Sequence, residues 1–168
     1  MIVANALINS RLDYCNALFR SLSCRDIKRL QCVQNSIARV VTLSSTFSHI
    51  SPILRSLHWL PVRQRIVFKT ATIVYKVLKS GFPTYLSQHI KPYTCSMNTR
   101  RSNPDKSYLY VPTYKSSVTK SKMQFQYSFS YDGPTLWNSL PLSLCSAPSL
   151  SNFRRKLKTY LFQEAYPP

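Results

Sequence analysis

The sequence predicts a mainly α protein: an N-terminal helical bundle, then a loop-rich segment with a small β-hairpin or sheet, then a C-terminal helix. Three observations carry that expectation. Apolar residues recur at steps of three and four through most of residues 8–79 and again near the C-terminus, the spacing of one helix face. Between residues 93 and 122 Ser, Thr, Asn and Pro displace that periodicity. Residues 123–131 then alternate aromatic and polar side chains at a period of two, the mark of a strand.

Taken from the N-terminus, Ile8, Leu12, Cys15, Phe19 and Leu22 share a face while Arg11, Asp13 and Asn16 lie elsewhere, so a first helix is expected over residues 8–22. Ser23 and Asp26 stand in capping-box spacing, with Asp in place of Glu. They open a second helix whose expected apolar stripe is Ile27, Leu30, Val33, Ile37, Val40 and Val41. Ser51-Pro52 reads as an N-cap with proline at the first helical position, giving a short helix that ends near Leu57. Leu60-Pro61 repeats the signal and starts a longer helix, with Ile66, Val67, Ile73, Val74, Val77 and Leu78 inward and Gly81 as its C-terminal stop. Pro83 introduces a short helical piece from Tyr85 to Ile90.

After Pro92 the chain turns polar and basic, which suggests two parts: residues 1–91 as a helical region and 92–168 as a basic loop, short strands and a C-terminal helix. Tyr108–Val111 reads as one strand and Met123–Tyr131 as another, the latter ended by Asp132-Gly133-Pro134. Its aromatics Phe125, Tyr127, Phe129 and Tyr131 fall on one strand face and read as core. Thr135–Leu140 then offers one helical turn. Ser149 or Ser151 caps a final helix with Leu150, Phe153, Leu157, Tyr160 and Leu161 inward. Trp59 and Trp137, each in a Leu-flanked run ending in Leu-Pro, read as packing anchors.

Composition narrows the function. The chain has 168 residues, of which 44% are apolar, enough for one real core. Its 23 Lys and Arg against 5 Asp and Glu give a net charge of +18, which calls for a polyanion or an acidic partner. Nucleic acid leads. No apolar run approaches the ~20 residues that span a bilayer, and no signal-peptide pattern opens the chain, so a non-secreted, intracellular protein of nucleus or cytoplasm is expected. Five cysteines without a Cys-x-x-Cys pair fit neither a disulfide framework nor a zinc knuckle and suggest reduced thiols.

Catalytic patterns are missing from the sequence. Its two glycines, Gly81 and Gly133, form no phosphate-cradling loop. Two-metal nucleotidyl transfer needs carboxylates that share cations ~4 Å apart. The acids Asp13, Asp26, Asp105, Asp132 and Glu164 are isolated, and each reads as a cap, turn or surface residue. His49, His58 and His89 lack metal-ligand spacing, and His58 beside Trp59 reads as a histidine packed and hydrogen-bonded in a core. No nucleophile elbow is present. Neither an enzyme activity nor a cofactor or metal is expected.

What remains is cationic helix faces and a basic, tyrosine-bearing loop, the combination that phosphate neutralisation and base stacking use. Arg25, Arg29 and Arg39, with Lys28 beside them, return to one side of the second helix, and Arg65, Lys69 and Lys76 to one side of the long helix. Arg100 and Arg101 lie in the loop, while Arg154, Arg155 and Lys158 ride the last helix. These twelve are the candidate nucleic-acid-binding residues; the competing reading is a solvated basic surface.

Several blocks in one order also resemble a known family. Arg11-Leu12-Asp13-Tyr14-Cys15-Asn16, Leu30-Gln31-Cys32-Val33-Gln34-Asn35 with Ala38-Arg39, and Leu57-His58-Trp59-Leu60-Pro61-Val62 with Arg65-Ile66 and Phe68-Lys69 are the first three. Pro83-x-Tyr85-Leu86, Arg101-Ser102, Phe129-Ser130, Pro134-x-Leu136-Trp137-Asn138-Ser139-Leu140-Pro141 and Leu150-Ser151-x-Phe153 followed by Leu157-Lys158 complete them. Together they are similar to the region after the palm in jockey-type and chicken-repeat-type non-LTR retrotransposon reverse transcriptases.

That resemblance implies a thumb-like helical region and a C-terminal tail of an RNA-directed DNA polymerase. It further implies that the palm and fingers, with their metal-binding aspartates, lie upstream of Met1 and act as this region's protein partner. The thumb's implied role is to hold RNA or an RNA–DNA duplex through its phosphate backbone. The alternative is an orphan structural remnant of a mobile element with no activity of its own. A thumb removed from its palm is also expected to expose an apolar patch near Leu12, Phe19, Leu30 or Ile37.

Overall fold

A computed structural model describes residues 10–93, 108–113 and 128–167. Among them the fold is mainly helical, as the periodicity predicts. In chain order the helices are α1 (Ser10–Asp13), a 3-10 helix (Asn16–Ser21), α2 (Cys24–Thr42), α3 (Ile50–Ser56), α4 (Val62–Ser80), α5 (Thr84–Ser87), α6 (Phe129–Ser139), α7 (Leu142–Cys145) and α8 (Leu150–Ala165).

The chain divides into two compact units, one made of Met1–Lys69 with Lys158–Pro168 and the other of Thr70–Leu157. The division expected at residue 91/92 follows a change in composition, whereas the units follow packing. Both boundaries fall inside a helix, α4 and α8.

In the first unit, α2 starts where the sequence says it should. Ser23 is extended and its hydroxyl accepts from the Asp26 amide, while the same hydroxyl donates to the Asp26 carboxylate at 2.6 Å. The core gathers Ala38 of α2, Leu54 of α3, Trp59 and Tyr166, with Ile37, Val41, Ile53 and Phe162 packed around them. Tyr166 donates to the Trp59 carbonyl at 2.8 Å, which ties the last residues of α8's end to the α3–α4 connection. His58 packs edge-on against Phe162 at 5.8 Å and its Nδ1 lies 3.1 Å from the Arg55 carbonyl, but it is exposed and not part of the core expected of it.

In the second unit, Tyr75 of α4 stacks on Phe153 of α8 at 4.4 Å, and Trp137 of α6 leans on both. The Tyr75 hydroxyl donates to the Ala147 carbonyl at 2.8 Å, so no polar atom of this aromatic cluster's Tyr75 is left unsatisfied in the core. Gly81 adopts φ +66° and its amide closes the end of α4 on the Val77 carbonyl, the left-handed stop that the sequence predicts.

Four expectations are corrected. The first helix does not run through residues 10–22, because Cys15 takes a left-handed φ of 50° and separates α1 from the 3-10 helix. The break turns Asp13 toward Arg65 and buries Asn16. On α2 the inward stripe is centred on Gln34 and Ala38; Val33 and Val40, expected inside, are 50% and 72% exposed. The α3 cap is His49, two residues before the expected Ser51, which puts Pro52 third in the helix, where a missing amide is still harmless.

The fourth concerns the hairpin. Phe129 and Tyr131 belong to α6, which runs straight through Asp132-Gly133-Pro134 instead of ending there. Helix formation buries Leu136, Trp137 and Leu140 together, and burying apolar side chains stabilises this arrangement. Gly133 works by close approach and not as a turn: a Cβ there would lie 3.3 Å from Val74 Cγ2. Residues 123–127 of the expected strand lie outside the described residues. Of the other strand, Tyr108–Val111, the described residues show a single antiparallel bridge, Pro92 to Leu109, with Tyr93 N–H donating to Tyr108 and Tyr110 N–H to Lys91. Asn138 holds that segment by bonding both the N–H and the C=O of Leu109 at 2.9 Å.

Candidate nucleic-acid interface

The N-terminal half of α2 presents Arg25, Lys28 and Arg29 to solvent. The Ser23 cap sets the phase of the helix, and steps of three and four bring residues 25, 28, 29 and 32 onto one side. There they line a shallow depression of about 530 Å³ together with the exposed thiol of Cys32. One carboxylate stands nearby: Asp26 lies 3.7 Å from the Arg29 guanidinium, an exposed pair of little energetic weight. Asp26 is also held by Ser23, so its charge is drawn toward the helix N-terminus.

Two arginines expected on the same surfaces are used elsewhere. The Arg65 guanidinium, whose side chain is 13% exposed, donates through Nη1 to both oxygens of Asp13 at 3.0 and 3.1 Å and through Nε to the Leu60 carbonyl at 3.0 Å. Arg39 is half-buried and donates to the Ser48 carbonyl at 3.3 Å, closing the loop after α2. Both are fastened to backbone or carboxylate within the first unit, and neither shares the α2 depression.

The rest are separate. Lys69 and Lys158 are exposed in the first unit, and Lys76, Arg154 and Arg155 are exposed in the second. Arg100 and Arg101 lie outside the described residues. The structure therefore brings three of the twelve candidates into one concave surface.

No protein-family model, curated protein or solved structure matches this chain.

Sequence reasoning missed a buried polar pair. Gln34 is fully buried and its amide donates to the Leu60 carbonyl at 2.9 Å, while its Oε1 accepts from Gln31. Gln31 Oε1 in turn accepts from the Val62 amide at 2.9 Å. The two glutamines thus satisfy the backbone on either side of Pro61, where α4 begins without an N–H of its own at Pro61. Hydropathy gives glutamine no reason to be inside.

Burial pushes the Tyr166 phenol up to about 12, with the Arg65 charge pulling the other way. Among the described residues no group of three or more His, Cys, Asp or Glu side chains is placed to hold a metal ion. Among them, too, no helix is long and apolar enough to cross a membrane.

Of the residues around which an exposed apolar patch is expected, Leu12, Phe19, Leu30 and Ile37 are themselves half-buried, but Tyr14 and Leu18 beside the first two are exposed, as are Val33 in the middle of α2, Val40 and Leu43 at its end and Phe47 beyond it. The outer side of α2 is thus cationic in its first half and apolar toward its C-terminus.

Proposed function

We propose that this chain is a non-catalytic nucleic-acid-contacting module that holds the phosphate backbone of RNA or an RNA–DNA duplex through Arg25, Lys28 and Arg29. The observation that carries the reading is three neighbouring exposed cations around one depression, opposed among the described residues by one weakly placed carboxylate, on a chain of net charge +18. Each cation that neutralises a phosphate releases condensed counterions, and that release is the main source of sequence-indifferent affinity. Such binding falls in the micromolar range, ~1–100 μM at physiological salt.

The ordered blocks support a more specific reading, that the chain corresponds to the thumb and tail of a non-LTR retrotransposon reverse transcriptase. In that reading Val40, Leu43 and Phe47 meet the palm and fingers of the parent polymerase, which would account for large apolar side chains left in water.

The test is binding of a fluorescent RNA–DNA hybrid to the full chain and to a Lys28→Glu/Arg29→Glu variant whose helical content matches the parent. Both positions are exposed, so the fold should persist. We expect affinity to fall at least about tenfold in the variant at low salt. Equal affinity would overturn the assignment to α2. No binding by either protein would favour an inactive remnant of a mobile element.

A further inference from the structure

The second unit contains a concavity that the α2 reading does not use. It has a volume of about 530 Å³ and is lined by Lys76, Lys79 and Ser80 at the end of α4, by Phe82 and Pro83, and by Ser149 at the start of α8, with Tyr75 beneath. That size falls within the ~300–1,000 Å³ of small-molecule clefts. Lys76 and Lys79 are three residues apart and so are neighbours on the helix, where like charges repel unless an anion lies between them. Both are exposed, and no carboxylate is among the described residues that line the cavity. Phe82 is 71% exposed although it stands at a concave site beside a packed aromatic core.

We infer that this cavity takes one unpaired nucleotide of a single strand, its phosphate between Lys76 and Lys79 and its base on the ring of Phe82. An exposed phenyl ring and a pair of ammonium groups at one concave site are what a nucleotide's two halves require: a π-face to stack on and fixed positive charge. A paired base offers neither face, since both are covered by its neighbours in the duplex. The cavity therefore selects an unpaired nucleotide. Ser149 adds a hydroxyl on the α8 side, and the first turn of α8 carries no acid that would repel a phosphate. The site rests on the nucleic-acid reading above and adds to it a preference for single-stranded segments.

The experiment compares two probes on the full chain, a blunt RNA–DNA hybrid and a single-stranded 12-mer, by fluorescence anisotropy. The variants are Phe82→Leu, which keeps an apolar side chain and removes the π-face, Phe82→Tyr, which keeps the ring, and Lys76→Gln/Lys79→Gln. We expect Phe82→Leu to weaken single-strand binding about tenfold and leave the blunt hybrid unchanged, with Phe82→Tyr close to the parent. The double lysine variant should weaken single-strand binding and flatten its salt dependence. If the hybrid binds but Phe82→Leu binds the single strand as tightly as the parent does, the cavity inference is wrong and the α2 reading stands. If neither probe binds the parent protein, both fail.

Discussion

Gln34 sits at the centre of the inward side of α2, fully buried, where hydropathy would have placed Val33 or Val40. Its amide spans to the Leu60 carbonyl and its oxygen is satisfied by Gln31, so the burial cost of a polar side chain is met by hydrogen bonds. Gln34→Ala removes that link and leaves a void, and should destabilise the chain by ~2 kcal/mol in urea unfolding. Val33→Ala, at a position half open to water, should cost under ~0.5 kcal/mol. The reverse order would show that the apolar stripe, and not the glutamine, faces the core. Tyr166 offers a test by pH. Its phenol ionises near 10.0 when unfolded but at about 12 in the fold, because burial disfavours the phenolate. The unfolded chain therefore loses that proton first. The stability that this tyrosine contributes is complete below pH 10 and is lost between 10 and 12. Tyr166→Phe, lacking the ionisable group and the bond to Trp59, should be less stable by ~1 kcal/mol at neutral pH and should lose less over that alkaline interval.

Helix ends were the most legible features. Ser23, Gly81 and the Leu60-Pro61 start each act through local backbone chemistry that a short stretch of sequence contains in full. Gly81→Ala places a methyl group in open space but at φ +66°, so its cost of ~1 kcal/mol is conformational. Leu43 holds the same left-handed position at the end of α2 with φ 53° and a side chain 94% exposed. Leu43→Gly should raise stability by ~0.5 kcal/mol, the relief of strain outweighing the greater freedom of glycine in the unfolded chain. A loss of stability there would mean that the leucine makes contacts within this chain. Less legible were features set by partners distant in sequence. Gly133-Pro134 looks like a turn until Val74 is placed 3.3 Å from where a Cβ would stand, and the period of two at Phe129 and Tyr131 yields to burial of Leu136 and Trp137. Cys15 breaks an amphipathic pattern, and the break lets Asp13 meet an arginine 52 residues away. Gly133→Val should cost ~2 kcal/mol by overpacking against Val74.

Over the chain as a whole, several polar side chains act as fastenings. Asp13 meets Arg65, Gln31 and Gln34 hold the backbone around Pro61, and Asn138 clamps Leu109. Of the candidate contact residues, Arg39 and Arg65 proved to serve the same purpose, a use that charge periodicity alone cannot distinguish from an open cationic face. What is left for a ligand is a surplus of positive charge, much of it on lysines and arginines with few acids to offset it. Binding to an anionic strand should then be governed by counterion release. The measurement to make is the slope of log binding constant against log salt, from about 50 to about 200 mM, for an RNA–DNA hybrid with the parent chain and with Arg25→Gln/Lys28→Gln/Arg29→Gln. Neutralising three phosphate contacts should make the slope shallower by about 2 to 3, near 0.9 for each cation lost. Parallel lines for the two proteins, or a parent constant that ignores salt, would contradict a backbone grip by α2.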